Sequence, residues 1–268
     1  MKAEGYRVAV IGGGAAGMMA ALSAARLLPE GKVVLLEKNP GLGRKLNATG
    51  NGRCNFSNRY CRWQDYGGKD LSLVRSAFEH LNPAETTALF EELGILSREE
   101  SEGRLYPYSE QATSVTEALH EELKAKGVSL RLGTEVISVS KQGNGFHIES
   151  GEGFIEADVL IIATGGKAGH RFGSTGDGYG FAKGFGHTLE RPLPALVRIV
   201  TEDTFAGRLK GVRAKGSVSL AKGHEIIAAE EGEIQFTEDG LSGICVFDLS
   251  RYLGEEPAAY HIRIDLFP

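Results

Sequence analysis

Apolar runs and longer helical patterns alternate along most of the chain. Residues 7–11 and 33–36 are short apolar runs, typical of buried parallel strands. Between them, residues 15–28 are apolar nearly all round, which predicts a helix buried on most of its sides. A polar segment, 38–58, follows the second run. Because loops longer than about 15 residues without structure of their own are usually functional or disordered, and this one has ordered turn chemistry, we expect a functional loop.

Later segments predict further helices and strands. Helical patterns cover 71–80, 83–93 and 114–126, and Ser114 and Glu117 have the spacing of a capping box. Strands are expected at 129–132, 135–139, 146–149 and 159–163, followed by a helix at 177–186. Beyond Pro192 and Pro194 the runs are short and strand-like, at 217–220, 225–228, 233–236 and 260–266. We therefore predict an α/β fold with a three-layer, Rossmann-like domain over 1–190 and a β-rich second domain over 191–268.

The glycines after the first run have the spacing of a dinucleotide-binding turn. Gly12, Gly14 and Gly17 form G-x-G-x-x-G between a predicted strand and a predicted helix, and Glu37 ends the second strand. Gly12 allows the tight turn, Gly14 lets the backbone approach a pyrophosphate, and Gly17 lets helix and strand pack closely. The helix N-terminus favours phosphate, and Glu37 can accept hydrogen bonds from ribose hydroxyls. The pattern predicts a bound dinucleotide.

The long polar loop favours FAD over NAD, which the glycine pattern alone does not separate. An NAD-only domain normally resumes a helix and a strand sooner than residues 38–58 allow. Such a loop can run beneath a pyrophosphate and ribityl chain toward a flavin ring. Ala163, Thr164 and Gly165 end a later predicted strand and give a second approach of small residues to the same nucleotide.

Composition narrows the range of partners. The chain has 37 glycines among 268 residues, so many turns must bring the backbone close to a ligand or to a neighbouring segment. Thirty basic and 35 acidic residues give a net charge of −5, which argues against nucleic acid or an anionic membrane surface as the main partner. The three cysteines form no disulfide framework, and cysteines and histidines together show no metal-ligand pattern. With no leader or membrane-spanning run, we expect a soluble, cytoplasmic protein without a metal.

Motifs along nearly the whole chain carry a family resemblance. The most specific are Gly-Arg-Cys-Asn at 52–55 and Gly-Ser-Thr-Gly-Asp-Gly-Tyr at 173–179. The others lie at 11–17, 43–45, 163–166, 186–187, 194–196, 209–211, 236–237 and 240–243. With these motifs the chain resembles the bacterial flavoproteins of the BaiN type, which include aminoacetone oxidases and bile-acid steroid reductases. It departs at Asn51, where the family usually has glycine, and at 168–172. Family members continue beyond the point where this chain ends, so we expect it to lack their C-terminal part.

The resemblance implies FAD bound in an extended pose. The pyrophosphate is assigned to Gly12, Gly14, Ala15 and Ala16 in the glycine turn that Gly17 completes, with Thr164 and Gly165 on its flank. The adenosine ribose is assigned to Glu37 and Lys38, the phosphates to Arg44 and Lys45, and the adenine to the backbone of Val136. The flavin ring is assigned to Asn51, Gly52, Arg53, Cys54 and Asn55, and Asp177 lies in a segment that borders FAD.

Three of these residues also have ordinary structural interpretations. Cys54 is either a thiol near the flavin or a small buried side chain, and the second is favoured because no partner lies near it in sequence. Arg53 either stabilises reduced flavin or holds the loop through hydrogen bonds to carbonyls. Asp177 either borders FAD or is only a helix N-cap.

The function predicted from these features is that of a FAD-dependent oxidoreductase, with catalytic residues unknown. It passes two electrons between a small organic substrate, with an activated C=C bond or an amine, and NAD(P)H or oxygen. With no second fingerprint for an NAD domain, NAD(P)H would bind transiently as electron donor. The alternatives are a truncated, non-catalytic dinucleotide-binding fragment and a flavoprotein of tRNA modification. The acidic balance counts against the second alternative.

Overall fold

The computed structural model describes residues 4–68 and 70–268, which divide into two compact units, the first ending at Leu189 and the second covering Glu190–Pro268. The elements of the first unit are β1 (Glu4–Ile11), α1 (Ala15–Leu27), β2 (Val33–Glu37), β3 (Ser57–Asn58), α2 (Ser72–His80), α3 (Pro83–Glu92), β4 (Ser97–Glu99), β5 (Arg104–Pro107), α4 (Ala112–Ala125), β6 (Ser129–Leu132), β7 (Val136–Gln142), β8 (Gly145–Ser150), β9 (Gly153–Ile162) and α5 (Asp177–Gly184).

Two sheets organise this unit. The larger has the strand order β6-β2-β1-β9-β8-β7, with β6, β2, β1 and β9 parallel and the β7–β8–β9 pairings antiparallel. Val8 pairs with Val33 on one side and Val159 on the other, so β1 lies at the centre of the parallel region. A smaller antiparallel sheet has the order β3-β5-β4.

Alternation along β1 places side chains on both faces of the larger sheet. Val8 and Val10 belong to a core that includes residues of α1 and α4, such as Met18 and Leu119. Ala9 and Ile11 face a second cluster, against which Phe181 of α5 packs. Burying a large apolar side chain contributes about 1.5–3 kcal/mol. Helix, sheet and helix thus form three layers, and the predicted α/β, Rossmann-like class is confirmed.

The second unit is built on an antiparallel sheet. Its elements are β10 (Ile199–Val200), α6 (Phe205–Arg208), β11 (Arg213–Lys222), β12 (Glu225–Phe236), β13 (Gly240–Ser242), α7 (Ile244–Ser250) and β14 (Tyr260–Asp265). The strand order is β10-β13-β12-β11-β14, and α7 packs on β12. Val218, Ile234 and Leu249 are fully buried in its core. The separate runs predicted at 225–228 and 233–236 are wrong as separate strands, because β12 continues through both.

Three local expectations are corrected. The capping box predicted at Ser114 is wrong: α4 begins at Ala112, and the Ser114 hydroxyl donates to the Gln111 carbonyl instead. Asp177 is not an N-cap, because Gly176 occupies that position and Asp177 is the first helical residue. The long loop is not without structure of its own, since Leu46–Gly52 contains 3₁₀ turns that non-helical backbone at Thr49, Gly50 and Asn51 interrupts.

Candidate functional site

A cavity of about 460 Å³ opens at the carboxyl ends of the parallel strands of the first unit. Its wall is formed by the turn after β1, the residues after β2, the loop that follows, residues 134–136, the residues after β9, and α5. Open α/β sheets bind their ligands at this edge, and small-molecule sites range from roughly 300 to 1,000 Å³. The cavity is therefore placed and sized for a ligand.

The three fingerprint glycines have distinct steric roles. Gly12 has φ +108°, and a Cβ there would lie 2.5 Å from the Ala163 carbonyl oxygen, so only glycine fits. A Cβ on Gly17 would lie 1.7 Å from the Gly12 carbonyl oxygen, which is the close packing expected from the sequence. A Cβ on Gly14 would meet no atom within 4 Å. Gly14 therefore keeps open space beside the cavity rather than relieving a clash.

The N-terminus of α1 presents backbone donors to the cavity. Ala15 and Ala16 line the wall and are exposed. Within the described residues, no side chain caps this helix and its first turn contains no acid. The first N–H groups of a helix have no intrahelical partner, and with the helix dipole they favour an anion. This end of the cavity is suited to phosphate groups.

Glu37 lies at the end of β2 as a buried carboxylate that accepts three hydrogen bonds. Its Oε2 accepts from the Gly13 backbone N–H at 2.6 Å, and its Oε1 accepts from the Asn39 backbone N–H at 2.8 Å. The Asn39 side-chain amide also donates to Oε1, at 2.5 Å. The predicted ribose-binding acid is thus held between the glycine turn and the residues that follow β2.

Lys38 and Asp177 join the end of β2 to the start of α5. The Lys38 ammonium lies 2.6 Å from Asp177 Oδ2 and 2.7 Å from the Thr175 hydroxyl. The hydrogen bond from Lys38 is the main reason that the pKa of Asp177 lies below its ordinary value. Two residues assigned separately to the cofactor therefore contact each other on the cavity wall.

Two further cations lie along the wall. Arg44 donates to the Asn39 side-chain oxygen, and Lys45 donates to the Ala168 carbonyl at 2.9 Å. Both side chains are on exposed residues that line the cavity. With the helix N-terminus, they place positive charge along this part of the cavity wall.

The wall contributed by 49–56 and α3 is largely apolar. Phe56 stacks on Phe90 with ring centroids 4.6 Å apart and planes 6° from parallel. Cys54 is only 2% exposed, and burial raises the pKa of its thiol. A neutral, buried thiol fits the favoured structural interpretation of Cys54. The two stacked rings give this part of the wall its aromatic side chains.

Most of the predicted site residues come together on this wall. They are Gly12, Gly14, Ala15, Ala16, Glu37, Lys38, Arg44, Lys45, Cys54, Asn55, Val136, Thr164, Gly165 and Asp177. Gly17, Asn51, Gly52 and Arg53, all of them described, lie outside it. Asn51 has φ 56°, the left-handed geometry that asparagine tolerates.

Arg53 has partners that sequence reasoning did not identify. Its guanidinium lies 2.7 Å from the Glu100 carboxylate and 4.2 Å from the centre of the Tyr106 ring. It holds the loop through a carboxylate and a ring rather than through carbonyls. The ion pair also lowers the pKa of Glu100.

Sequence reasoning missed several residues of the wall. Asn39 and Gly13 lie beside named residues, and the hydrogen bonds to Glu37 give them their roles. Phe56, Phe90 and Phe181 come from three separate elements, and nothing in the sequence near them indicates a common surface. A search for apolar side chains flanking the loop motif could have found Phe56 alone.

Two searches of residues 4–68 and 70–268 bear on other kinds of site. No group of three or more His, Cys, Asp or Glu side chains there is arranged to hold a metal ion. Nor does that part of the chain contain a helix with the length and apolar character needed to cross a membrane.

Comparison with known proteins identifies relatives. The chain is 37% identical over 265 residues to a 3-dehydro-bile acid delta(4,6)-reductase of Clostridium scindens, covering 98% of this chain and 64% of the relative. It is 29% identical over 270 residues to a ribosomal RNA dihydrouridine synthase of Escherichia coli, covering 99% of this chain and 64% of that protein. The chain therefore spans about 64% of the length of these curated relatives.

A solved structure agrees with the fold. The open conformation of a flavocytochrome c3 fumarate reductase superposes with a TM-score of 0.54 at 18% identity, covering 79% of this chain and 47% of that chain. The family model described as the HI0933-like protein Rossmann domain matches residues 6–242. The family resemblance inferred from the motifs is confirmed, and the chain belongs to the HI0933-like Rossmann-domain family.

Proposed function

We propose that the first unit binds FAD in its cavity and that the protein is a FAD-dependent oxidoreductase. The observation that carries the proposal is the arrangement of the cavity wall. The wall combines the uncapped N-terminus of α1, the Glu37 carboxylate at the end of β2, where a ribose would lie, and the stacked pair Phe56 and Phe90. An extended dinucleotide requires an anion site, a hydroxyl acceptor and a surface for a planar ring.

The residues present fit this cofactor. Ala15 and Ala16 would hold the pyrophosphate with their backbone N–H groups, and Glu37 would accept from the adenosine ribose. Arg44 and Lys45 would add positive charge near the phosphates, and Thr164 would border them through the turn after β9. Phe56 would face the flavin side of the cavity. The open space at Gly14 is what a closely approaching phosphate needs.

When bound, FAD supplies two-electron chemistry, while the protein orients it and sets its surroundings. The residues of this chain then have three tasks. The glycine turn and Glu37 fix the position of the nucleotide, and the basic residues balance its phosphate charge. Phe56 and Phe90 keep the loop side of the cavity apolar and limit the access of water.

The relatives support a proposal for the substrate class. The 3-dehydro-bile acid delta(4,6)-reductase is named for a reduction, which favours reduction of an activated C=C bond over oxidation of an amine. We propose NAD(P)H as the electron donor for that reaction, binding transiently. Oxygen as the electron partner belongs to the amine alternative.

A second candidate is a reductase acting on RNA. It is favoured by the 29% identity to the ribosomal RNA dihydrouridine synthase, whose name also denotes a reduced ring. The net charge of −5 opposes a polyanionic substrate, since phosphate contacts dominate the affinity for nucleic acids. We therefore place this candidate second.

The test is anaerobic reduction of the FAD-loaded protein. Loss of the flavin absorbance on addition of NADH or NADPH, and its return on addition of an α,β-unsaturated ketone, would support the C=C reductase. Return of the absorbance with a uridine-containing ribosomal RNA fragment, and not with the ketone, would favour the second candidate. A protein that binds FAD but is reduced by neither donor would overturn the proposed activity and leave the non-catalytic alternative.

A further inference from the structure

Asn39 makes an unusually complete set of contacts with Glu37. Both its backbone N–H and its side-chain amide donate to Glu37 Oε1, at 2.8 and 2.5 Å. Oε2 receives the Gly13 N–H at 2.6 Å. One residue thus supplies two of the hydrogen bonds that fix a buried carboxylate on the cavity wall.

The amide of Asn39 is itself fixed in orientation. Arg44 donates to its oxygen at 2.5 Å, and a guanidinium has only donors, so the amide nitrogen must point toward Glu37. The Gly133 N–H donates to the Asn39 carbonyl at 3.0 Å. A Cβ on Gly173 would lie 2.7 Å from the amide nitrogen, so the backbone after β9 packs closely behind it.

These contacts restrict what Glu37 can offer a ligand. An ionised carboxylate has about four acceptor positions, two on each oxygen. Asn39 occupies both positions on Oε1, and Gly13 occupies one on Oε2. A single position on Oε2 is left for a hydroxyl.

We propose that Asn39 is a positioning residue, which holds Glu37 so that the carboxylate accepts from only one hydroxyl of the adenosine ribose. This inference rests on the proposed dinucleotide site. Arg44 supports the arrangement by fixing the Asn39 amide, and Gly173 leaves the room that the amide needs. Asn39 does not need to touch the cofactor to set its affinity.

The charged groups around Glu37 determine how a substitution at Asn39 would change ligand affinity. Besides Glu37, the wall carries Lys38, Arg44, Lys45, Glu135 and Asp177, and Lys38 and Asp177 neutralise each other as a pair. In an Asn39→Asp variant a second carboxylate would replace the amide donor at 2.5 Å from Oε1. Two carboxylates at this distance repel each other when both are ionised, and a proton shared between them relieves the repulsion as the pH falls.

The experiment measures the affinity of the wild type, Asn39→Asp and Asn39→Ala for FAD and for ADP, from about pH 5.5 to about pH 8. In Asn39→Asp, we expect binding at the upper pH to weaken by about tenfold or more and to recover toward the lower pH, because a shared proton restores a hydrogen bond to Glu37. Asn39→Ala, which adds no charge, should weaken binding by a similar factor at every pH. The melting temperature of each ligand-free variant controls for folding.

A second readout tests the single acceptor position. Wild type should discriminate strongly between ADP and only one of its 2′-deoxy and 3′-deoxy analogues, and Asn39→Ala should lose that discrimination. Because this comparison uses only wild type and Asn39→Ala, it still tests the inference if Asn39→Asp fails to fold. Unchanged discrimination in Asn39→Ala, or a pH profile of Asn39→Asp that matches wild type, would overturn the inference while leaving the FAD site intact. If wild type binds neither FAD nor ADP, the proposed function fails, and the role of Asn39 toward ribose fails with it.

Discussion

The Gly13 backbone N–H donates to Glu37 Oε2 across 2.6 Å, so the acid that ends β2 also ties down the glycine turn that follows β1. The two features are 24 positions apart in sequence. Their contact gives Glu37 a structural role before any ligand arrives, in addition to the ribose contact proposed for it. Glu37 therefore connects the shape of the phosphate site to the ribose site.

Replacing Glu37 by glutamine should weaken both stability and FAD binding. Glutamine keeps the size but loses the charge, and its amide nitrogen would oppose either the Gly13 or the Asn39 donors. Because hydrogen bonds to buried charged groups contribute about 1.5–3 kcal/mol, we expect a loss of that order in the free energy of unfolding. Urea unfolding measures it, with Glu91→Gln on an exposed position of α3 as the matched control. Equal stability of the two variants would contradict the role assigned to Glu37.

The substitution Gly14→Ala should lower the affinity for FAD without changing the stability of the fold. A Cβ there meets no atom within 4 Å, and φ −76° is open to any residue, so the free energy of unfolding should change by less than about 1 kcal/mol. The methyl would occupy space proposed for the pyrophosphate, so FAD affinity should fall at least about tenfold.

Gly17→Ala is the matched comparison for Gly14→Ala. Its methyl would lie 1.7 Å from the Gly12 carbonyl oxygen, so we expect this variant to unfold at a much lower temperature. Thermal unfolding and FAD titration of both variants separate the two roles. If Gly14→Ala binds FAD like wild type, the pyrophosphate does not lie at this turn.

The Lys38–Asp177 pair should contribute stability that depends on pH. The pKa of Asp177 is lowered mainly by Lys38, so its folded value lies below the unfolded value of about 3.9. The contribution is therefore present above that pH and is lost as the pH falls through the folded value. Because both side chains are partly exposed, we expect less than about 1 kcal/mol.

A double-mutant cycle with Lys38→Met and Asp177→Asn, followed by urea unfolding from neutral to strongly acidic pH, measures this coupling. The coupling free energy should be favourable at neutral pH and vanish at low pH. A coupling that stays constant through the acidic range would show that it does not come from the ionised Asp177 carboxylate.

Cys54 should be unreactive in the folded protein. It is 2% exposed and burial raises its thiol pKa, whereas Cys61 is only partly buried. Because the thiolate is the reactive form, a thiol reagent should label Cys61 first and Cys54 only on unfolding. Mass spectrometry of peptides after brief labelling reads this out, and Cys54→Ala should retain FAD affinity. Labelling of Cys54 as fast as Cys61 in native protein would favour the reactive-thiol interpretation.

The sequence predicted those parts of the fold that depend on local pattern. Apolar runs predicted the central strands because those strands are buried, and the glycine spacing predicted the turn because a side chain at Gly12 or Gly17 would clash with backbone. Element ends were less predictable. Ser114 and Asp177 resemble caps in sequence, but their side chains have nearer partners elsewhere.

The sequence predicted those parts of the site in which one residue type has one role, such as the glycines of the turn and the acid that ends β2. The contacts that link separate segments were not: Lys38 with Asp177, and Arg53 with Glu100, are set by tertiary packing that no spacing encodes. The aromatic wall formed by Phe56 and Phe90 is of the same kind, since its residues come from the loop and from α3. Asn39 was missed because its importance depends on the orientation of its amide.

The most direct test of the proposed FAD site is a titration of the purified 268-residue chain with FAD, followed by the absorbance of the flavin and removal of unbound cofactor by gel filtration. If the cavity binds FAD, one FAD per chain is retained, and its absorbance bands shift and sharpen relative to those of free FAD. A protein that elutes colourless, with the flavin spectrum unchanged throughout the titration, would contradict the assignment of this cavity to FAD.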